Sequence, residues 1–332
     1  MRAVVLVEGE RHELQEVPTL EPAPGELRIR VEAAGICGTD LSIMHGHFPP
    51  GRGRPLILGH EFAGTVDAVG DGVDGFAPGD RVAADPNVYC GECEWCRRGA
   101  YNLCEQWAAV GITLPGALAE YLCLPARLAV RLPETLSMTA GALIEPLSCA
   151  IHAFQYADVA RDASTVIFGG GMMGLTCLAL ANQLGHQVTV VEIHEARRRK
   201  ALDMGAARVV ESAAELHQPF DYVMEATGVP AVVQEAFSWI RTRGTYLQLG
   251  LPPADTEITI RPLDINNREL RIVGSFSLAD AYPASADMIG SVAPALEQLV
   301  THRFGLDQFD EALAAMARPD ALKVHLEPHT HH

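Results

Sequence analysis

Residues 164–192 read STVIFGGGMMGLTCLALANQLGHQVTVVE, and this stretch decides the fold class. Val166–Phe168 is an apolar run of strand character, and an apolar helical stretch continues to Leu184. Between them Gly169, Gly171 and Gly174 form G-x-G-x-x-G. Val188–Glu192 reads as a second buried strand. A glycine triplet alone is a weak signal. Placed between a strand and a helix, it lets the backbone approach a pyrophosphate at the helix N-terminus. Glu192 is positioned to accept hydrogen bonds from adenosine ribose hydroxyls. Its charge repels a 2′-phosphate, so NAD rather than NADP is the expected cofactor. Arg197 follows closely and flanks the same ribose. The rival reading is a glycine-rich turn in some other α/β protein.

Downstream, Glu195–Met204 reads as a helix stopped at Gly205, and Ala231–Ile240 as another helical run. Asp221–Glu225, Thr245–Leu249 and Leu270–Val273 read as further strands. Strands alternating with helices at this spacing imply βαβ units and a parallel sheet. Thr227 with Gly228, and Leu249 with Gly250, then fall at strand C-terminal ends, where open α/β sheets bind ligands. Each pair is read equally well as a strand-ending turn.

Upstream the character differs. Leu27, Ile29 and Val31 alternate with polar residues, the period of a half-buried strand. Residues 61–70, 80–84 and about 119–132 also read as strands, bounded by Gly, Asp and Pro. The expected fold class is therefore α/β plus β. Residues 1–151 form a β-rich domain, 152–277 a dinucleotide-binding domain, and 278–332 a return segment. Lys323–Leu326 is a candidate strand added back to the first domain. The terminal HTHH reads as a tail outside the fold.

A chain of 332 residues exceeds the size at which one core usually keeps growing, which agrees with two domains. Apolar residues at 48% and charged residues at 20% exclude disorder. A net charge of −17 opposes nucleic acid and anionic lipid as partners. No apolar run reaches membrane-span length, and MRAVVLVEGE lacks a signal-peptide core, so the cytoplasm is expected.

Reduced cysteines in such a compartment suggest metal rather than disulfides. Cys90, Cys93, Cys96 and Cys104 have the spacing C-x2-C-x2-C-x7-C. Four thiolates on short loops close a tetrahedron around Zn2+, so this lobe reads as structural rather than catalytic. A zinc ribbon can also bind nucleic acid, which the acidic balance opposes. Cys123, Cys149 and Cys177 lie in apolar contexts and read as buried thiols.

A second constellation lies in Gly35-Ile36-Cys37-Gly38-Thr39-Asp40, Gly59-His60-Glu61-Phe62-Ala63-Gly64 and Ile144-Glu145-Pro146-Leu147. One thiolate, one imidazole and one carboxylate make a three-ligand zinc site with an open position, which catalysis needs. Taken singly, each residue has a plainer reading. A lone Cys is a small buried hydrophobe, a lone His a structural residue, and Glu145 a helix N-terminal carboxylate.

Together these residues resemble the zinc-containing medium-chain dehydrogenase/reductase superfamily. The matching stretches are GICGTD at 35–40, GHEFAGTVDAVG at 59–70, the lobe at 90–104, IEPLSCAIHAF at 144–154, GGGMMG at 169–174 and VVEIHEARR at 190–198. The EPLSCAIH segment is most similar to the sorbitol, arabinitol and threonine dehydrogenase branch. The resemblance implies a GroES-like catalytic domain with a Rossmann domain, the active site in the cleft, and two zinc ions per chain with NAD. It implies a secondary-alcohol oxidoreductase, with a polyol or sugar alcohol expected. Cys37 and His60 match catalytic zinc ligands, and Glu61 and Glu145 match acidic positions that ligate directly or through water in different members. The choice between the two stays open. Thr39 matches the hydroxyl that accepts the substrate proton. Many relatives carry a relay His five residues after the zinc Cys. Here Ser42 stands there, with His45, His47 or a water chain as substitutes. His152 is expected to be structural.

Rival readings are a threonine or amino-cyclitol dehydrogenase with the same machinery, a non-catalytic nucleotide-binding homologue, and a zinc-lobe nucleic-acid binder. The 46–51 loop and Ser42 would line the pocket. The resemblance implies a homodimer or homotetramer joined by Rossmann-domain edge strands.

Overall fold

The computed structural model describes residues 1–8, 10–46 and 55–330. The chain divides into two compact units, Met1–Ser148 with Ala279–His332, and Cys149–Leu278.

In the first unit, Glu26–Ile36 is the central strand, because every second residue from Leu27 to Val31 is buried. Among the described residues it belongs to a seven-stranded sheet in the order Ala129–Arg131, Arg81–Ala84, Glu61–Val69, Glu26–Ile36, Lys323–Leu326, Val300–Phe304, with Tyr121–Pro125 also paired to Glu26–Ile36. The expected strand at 119–132 is thus two strands on different partners, Tyr121–Pro125 and Ala129–Arg131. Pro125 ends the first, since it cannot continue a ladder, and a single 3-10 turn redirects the chain. Val4, Leu6, Ile29, Phe62, Leu118 and Leu122 are among the side chains filling the core beneath these strands.

Two register facts shape the site. Gly35 pairs with Glu61, and Val324 pairs with Ile36. The end of one long strand, the start of a second and a strand from the C-terminal segment therefore meet at one point. His329 is less detached than HTHH suggests. The His329 ring meets Tyr121 edge-on at 5.6 Å, and its Nε2 lies 3.2 Å from the Glu120 carbonyl oxygen.

The second unit contains a six-stranded parallel sheet among the described residues. Its order is Arg208–Val210, Gln187–Val191, Ser164–Phe168, Phe220–Glu225, Ile240–Gln248, Arg271–Gly274. The order reverses at Ser164–Phe168, as in doubly wound nucleotide-binding folds. Both faces are covered, so Val166, Ile167, Val188, Val190, Val223 and Leu247 are all buried without alternation. The Ala231–Ile240 helical run is corrected. The helix spans Pro230–Ala236, a 3-10 turn follows, and Ile240 opens the next strand. That strand begins earlier than Thr245 because a register shift between the Ile240 and Thr245 pairings absorbs Arg243 in left-handed conformation, φ 62°. No helix among the described residues is long and apolar enough to cross a membrane.

Candidate active site and zinc lobe

The strand Glu26–Ile36 delivers Cys37 at its end, and the helix Gly38–Met44 begins immediately after. Asp40 in the first turn of that helix is fully buried. Its Oδ2 accepts the Cys37 backbone N–H at 2.8 Å, and its Oδ1 accepts the Gly59 N–H at 3.2 Å. The same Oδ1 lies 3.5 Å from His60 Nδ1. One carboxylate thus ties the Cys37 turn to the His60 turn. Asp40 is not marked as an organiser by its flanking residues alone. A carboxylate at the third position of a helix starting at a candidate ligand is a capping signal that could have found it.

The ligand atoms of Cys37, His60 and Glu61 lie within 4.8 Å of one another. His60 and Glu61 are buried, and Glu61 Oε2 and His60 Nδ1 have no hydrogen-bond partner among the described residues. Gly35 lies directly under Glu61, and any Cβ there would collide with the carboxylate. Glu61 Oε1 accepts from Lys323 Nζ at 2.7 Å, and the same ammonium donates to the Ile36 carbonyl at 3.3 Å. Burial pushes the Lys323 ammonium down, but the Glu61 carboxylate and then the Cys37 thiol reverse this and hold it above its ordinary value. His60 behaves alike. Burial opposes its charge, yet Asp40 and then Cys37 hold its proton well above the ordinary imidazole range.

Glu145 falls outside that cluster, on the first turn of the Ile144–Tyr156 helix, and is buried. Its charge helps to raise both Lys323 and the buried Tyr282 phenol, in each case behind larger causes. Thr39 Oγ1 lies 3.7 Å from Cys37 Sγ. Ser42 is half-buried on the Gly38–Met44 helix. His45 caps that helix and sits 3.8 Å from Glu10, exposed. His47 and the 47–51 part of the loop lie outside the described residues.

In the cysteine lobe, Cys90, Cys93, Cys96 and Cys104 present four sulfurs within 4.8 Å of one another. Sγ–Sγ distances of 3.6 Å for Cys104–Cys90 and 3.9 Å for Cys90–Cys96 bracket the ~3.8 Å edge of a tetrahedron with zinc–sulfur bonds of about 2.3 Å. None of the eight cysteines is in a disulfide. Backbone N–H groups of Cys90, Cys93, Cys96 and Gln106 point at sulfurs of the set at 3.3–3.5 Å. Such donors stabilise thiolates, and the Cys96 N–H is the largest cause lowering the Cys93 thiol. Outside the lobe, Cys177 is fully buried as expected, and burial pushes its thiol up to about 12. Cys123 and Cys149 are only half-buried, a correction: Cys123 lies on an outward face of Tyr121–Pro125, and Cys149 on a partly covered helix face. His152 stacks on Tyr156 at 5.8 Å.

At the sheet's C-terminal edge, Gly171 precedes the Met172–Gln183 helix, and Gly174 packs against Gly169 so closely that a Cβ would strike its carbonyl oxygen. Glu192 is buried, accepting the Gly170 N–H and the His194 N–H at 2.8 Å each. Its carboxylate therefore also braces the glycine turn. Arg197 is half-buried on the following helix. Arg198 donates to the Glu192 and Ile193 carbonyls at 3.0 and 2.6 Å.

Residues 23–134 match the alcohol dehydrogenase GroES-like domain, and residues 173–291 match the zinc-binding dehydrogenase family. The chain is 34% identical to D-altritol 5-dehydrogenase of Agrobacterium fabrum, covering 93% of this chain and 94% of that one. The chain belongs to the zinc-binding alcohol dehydrogenases. Sorbitol dehydrogenase of Bacillus subtilis is 32% identical to this dehydrogenase, over 99% of the chain and 97% of its own. The NADP-bound crystal structure of a protein from Sinorhizobium meliloti, described as a zinc-binding dehydrogenase, superposes with a TM-score of 0.93 at 33% identity, covering 98% of this chain and 99% of that one. The dehydrogenase is thus an oxidoreductase of the medium-chain superfamily, with a GroES-like domain and a Rossmann domain.

Proposed function

We propose that this dehydrogenase oxidises a secondary alcohol of the polyol class to a ketone with NAD, or runs the reverse, at the Cys37–His60–Glu61 cluster. The observation that carries the reading is the convergence of those three donor atoms beside the Thr39 hydroxyl. One thiolate, one imidazole and one carboxylate fit Zn2+ with a position left for substrate, and the orphaned Glu61 Oε2 is consistent with that ion. When bound, zinc supplies Lewis-acid polarisation of the substrate oxygen.

The rest is done by the chain. Asp40 holds the Cys37 and His60 turns in register, and Lys323 orients Glu61. Thr39 can accept the substrate proton through one hydroxyl lone pair while donating its own proton onward. Ser42, three residues along the same helix, is the hydroxyl that takes that proton in this reading. Glu61 is the direct carboxylate ligand in this reading, and Glu145 tunes the charge around it. The four-cysteine lobe holds a second, closed zinc that stabilises the fold.

NAD is assigned over NADP because the Glu192 carboxylate closes the glycine turn where a 2′-phosphate would add like charge. The NADP bound to the Sinorhizobium protein favours the other cofactor, so direct titration with both decides. The altritol and sorbitol dehydrogenase relatives support a polyol substrate. A homodimer is proposed through the Arg271–Gly274 edge strand, which presents unpaired backbone and a half-exposed Ile272. Free thiols committed to zinc suit a reducing cytoplasm.

The experiment follows NADH absorbance with NAD and a panel of polyols, threonine and simple secondary alcohols, beside a zinc-stripped sample. Turnover of a polyol that is lost on stripping supports the reading. Turnover of threonine alone would move the substrate class. A protein that binds NADH and zinc yet turns over nothing would sink the catalytic assignment for this panel.

A further inference from the structure

Glu225 ends the strand Phe220–Glu225 and is completely buried. Its carboxylate is surrounded by donors. Oε1 accepts the Thr227 N–H at 2.7 Å, the Thr227 hydroxyl, and the Gly228 N–H at 3.2 Å. Oε2 accepts the Gly228 N–H at 3.1 Å and the Gln248 side-chain amide at 2.8 Å. The Glu225 carbonyl accepts the Leu249 and Gly250 N–H groups at 2.9 and 2.8 Å. Tyr246 completes the set by donating its hydroxyl to Gln248 Oε1. These partners are all neutral donors, and acceptor-only chemistry is what a carboxylate offers.

The three turns beside it are packed tightly on one another. A Cβ at Gly250 would collide with the Gly228 N–H, and one at Gly169 would meet Thr227 Cγ2 at 2.9 Å. So the glycine turn after Ser164–Phe168 rests on the Thr227–Gly228 turn, which rests on the Leu249–Gly250 turn. Glu225 is bonded to the middle turn through its carboxylate and to the outer one through its backbone carbonyl and Gln248.

Strand order reverses at Ser164–Phe168, so a dinucleotide lies across that point with one half on each side. Glu192 marks the adenosine half, beside Gln187–Val191. The other half then falls over the ends of Phe220–Glu225 and Ile240–Gln248. We propose that Glu225 is a positioning residue for the nicotinamide half of the cofactor, holding the Thr227–Gly228 and Leu249–Gly250 turns in the shape that this half binds. The proposal rests on the dinucleotide reading of the site.

Glu225→Gln is isosteric but puts an amide donor against either the Thr227 and Gly228 N–H groups or the Gln248 amide. Either way a donor faces a donor, and the turns must shift. NADH and AMP are titrated separately into wild type and variant, both zinc-loaded. AMP engages only the adenosine half. NADH affinity is expected to fall about tenfold or more in Glu225→Gln, with AMP affinity unchanged within about twofold. Unchanged NADH affinity overturns the proposal. Equal loss of both ligands also overturns it, because that is general damage to the sheet. Gln248→Met keeps the carboxylate and removes one donor, so it serves if Glu225→Gln does not fold. It should weaken NADH about threefold and leave AMP alone, and wild-type NADH affinity in this variant overturns the proposal as well. A wild-type protein that binds neither NADH nor AMP would instead defeat the dinucleotide reading itself.

Discussion

Lys323 Nζ lies 2.7 Å from Glu61 Oε1, with both side chains buried, and the two residues come from opposite ends of the chain. The strand Lys323–Leu326 pairs with Glu26–Ile36, and Glu61 pairs with Gly35 on the other side of the same strand. The C-terminal segment therefore supplies the cation that orients a candidate metal ligand.

Lys323→Met should be strongly destabilising, since removing one member of a buried pair leaves the other charge uncompensated, at a cost of about 3–5 kcal/mol. Urea unfolding of the zinc-loaded protein measures this. Glu61→Leu combined with Lys323→Met should recover much of the stability while binding one zinc fewer per chain. A double variant as unstable as the single one would argue against the pair.

Zinc content and activity should separate by site. Cys37→Ala should lose one zinc per chain and all turnover, with the thermal midpoint little changed. Cys93→Ser should lose the other zinc and lower the midpoint by several degrees, because a closed four-thiolate site contributes directly to folding. Metal analysis beside calorimetry checks both. Two zincs retained in either variant would contradict the assignment.

Ser42→Ala should lower kcat several-fold with little change in the alcohol KM, since the hydroxyl takes part in proton transfer rather than binding. Serine has no pKa near neutrality, so the wild-type pH profile should lack a histidine step from this position. Ser42→His should introduce one near pH 6.5. Unchanged kcat in the alanine variant would remove Ser42 from the relay.

His325 is fully buried, with neither ring nitrogen hydrogen-bonded among the described residues. Burial, followed by the charges of Lys323 and Arg303, pushes its pKa down to about 3. The unfolded chain takes up this proton at about pH 6.5, so between the two values the unfolded state binds more protons and stability rises with pH. The contribution is complete above about pH 6.5 and is lost progressively as pH falls toward 3. At pH 5 the loss is about 2 kcal/mol. His325→Leu should therefore flatten the dependence of stability on pH between 7 and 5. An unchanged slope would locate the acid sensitivity elsewhere.

Ile272→Lys places a charge on the exposed edge strand Arg271–Gly274 and should convert a dimer to monomer in light scattering. A dimer that survives would point to another surface.

Legibility differed between the two units. The Rossmann unit was readable because its signals are local: a glycine turn between a strand and a helix, and a carboxylate at the next strand end. Where reading failed, the cause was nonlocal. The apolar neighbours of Ile240 fit a helical period, whereas pairing with Phe220 makes it a strand. Asp40, Lys323 and Glu225 were not singled out as organisers, since nothing in their flanking residues shows the partners they meet.

The sequence by itself determined the fold class, the superfamily and the cysteine and histidine positions able to hold zinc, because spacing and period are written along the chain. Only the tertiary structure decided that Glu61 rather than Glu145 shares the Cys37–His60 cluster, and that Arg198 bonds to the Glu192 turn. The reason is register. Pairing Gly35 with Glu61 and Ile36 with Val324 fixes which side chains share a few ångströms, and a strand register is a property of two segments that no single segment contains.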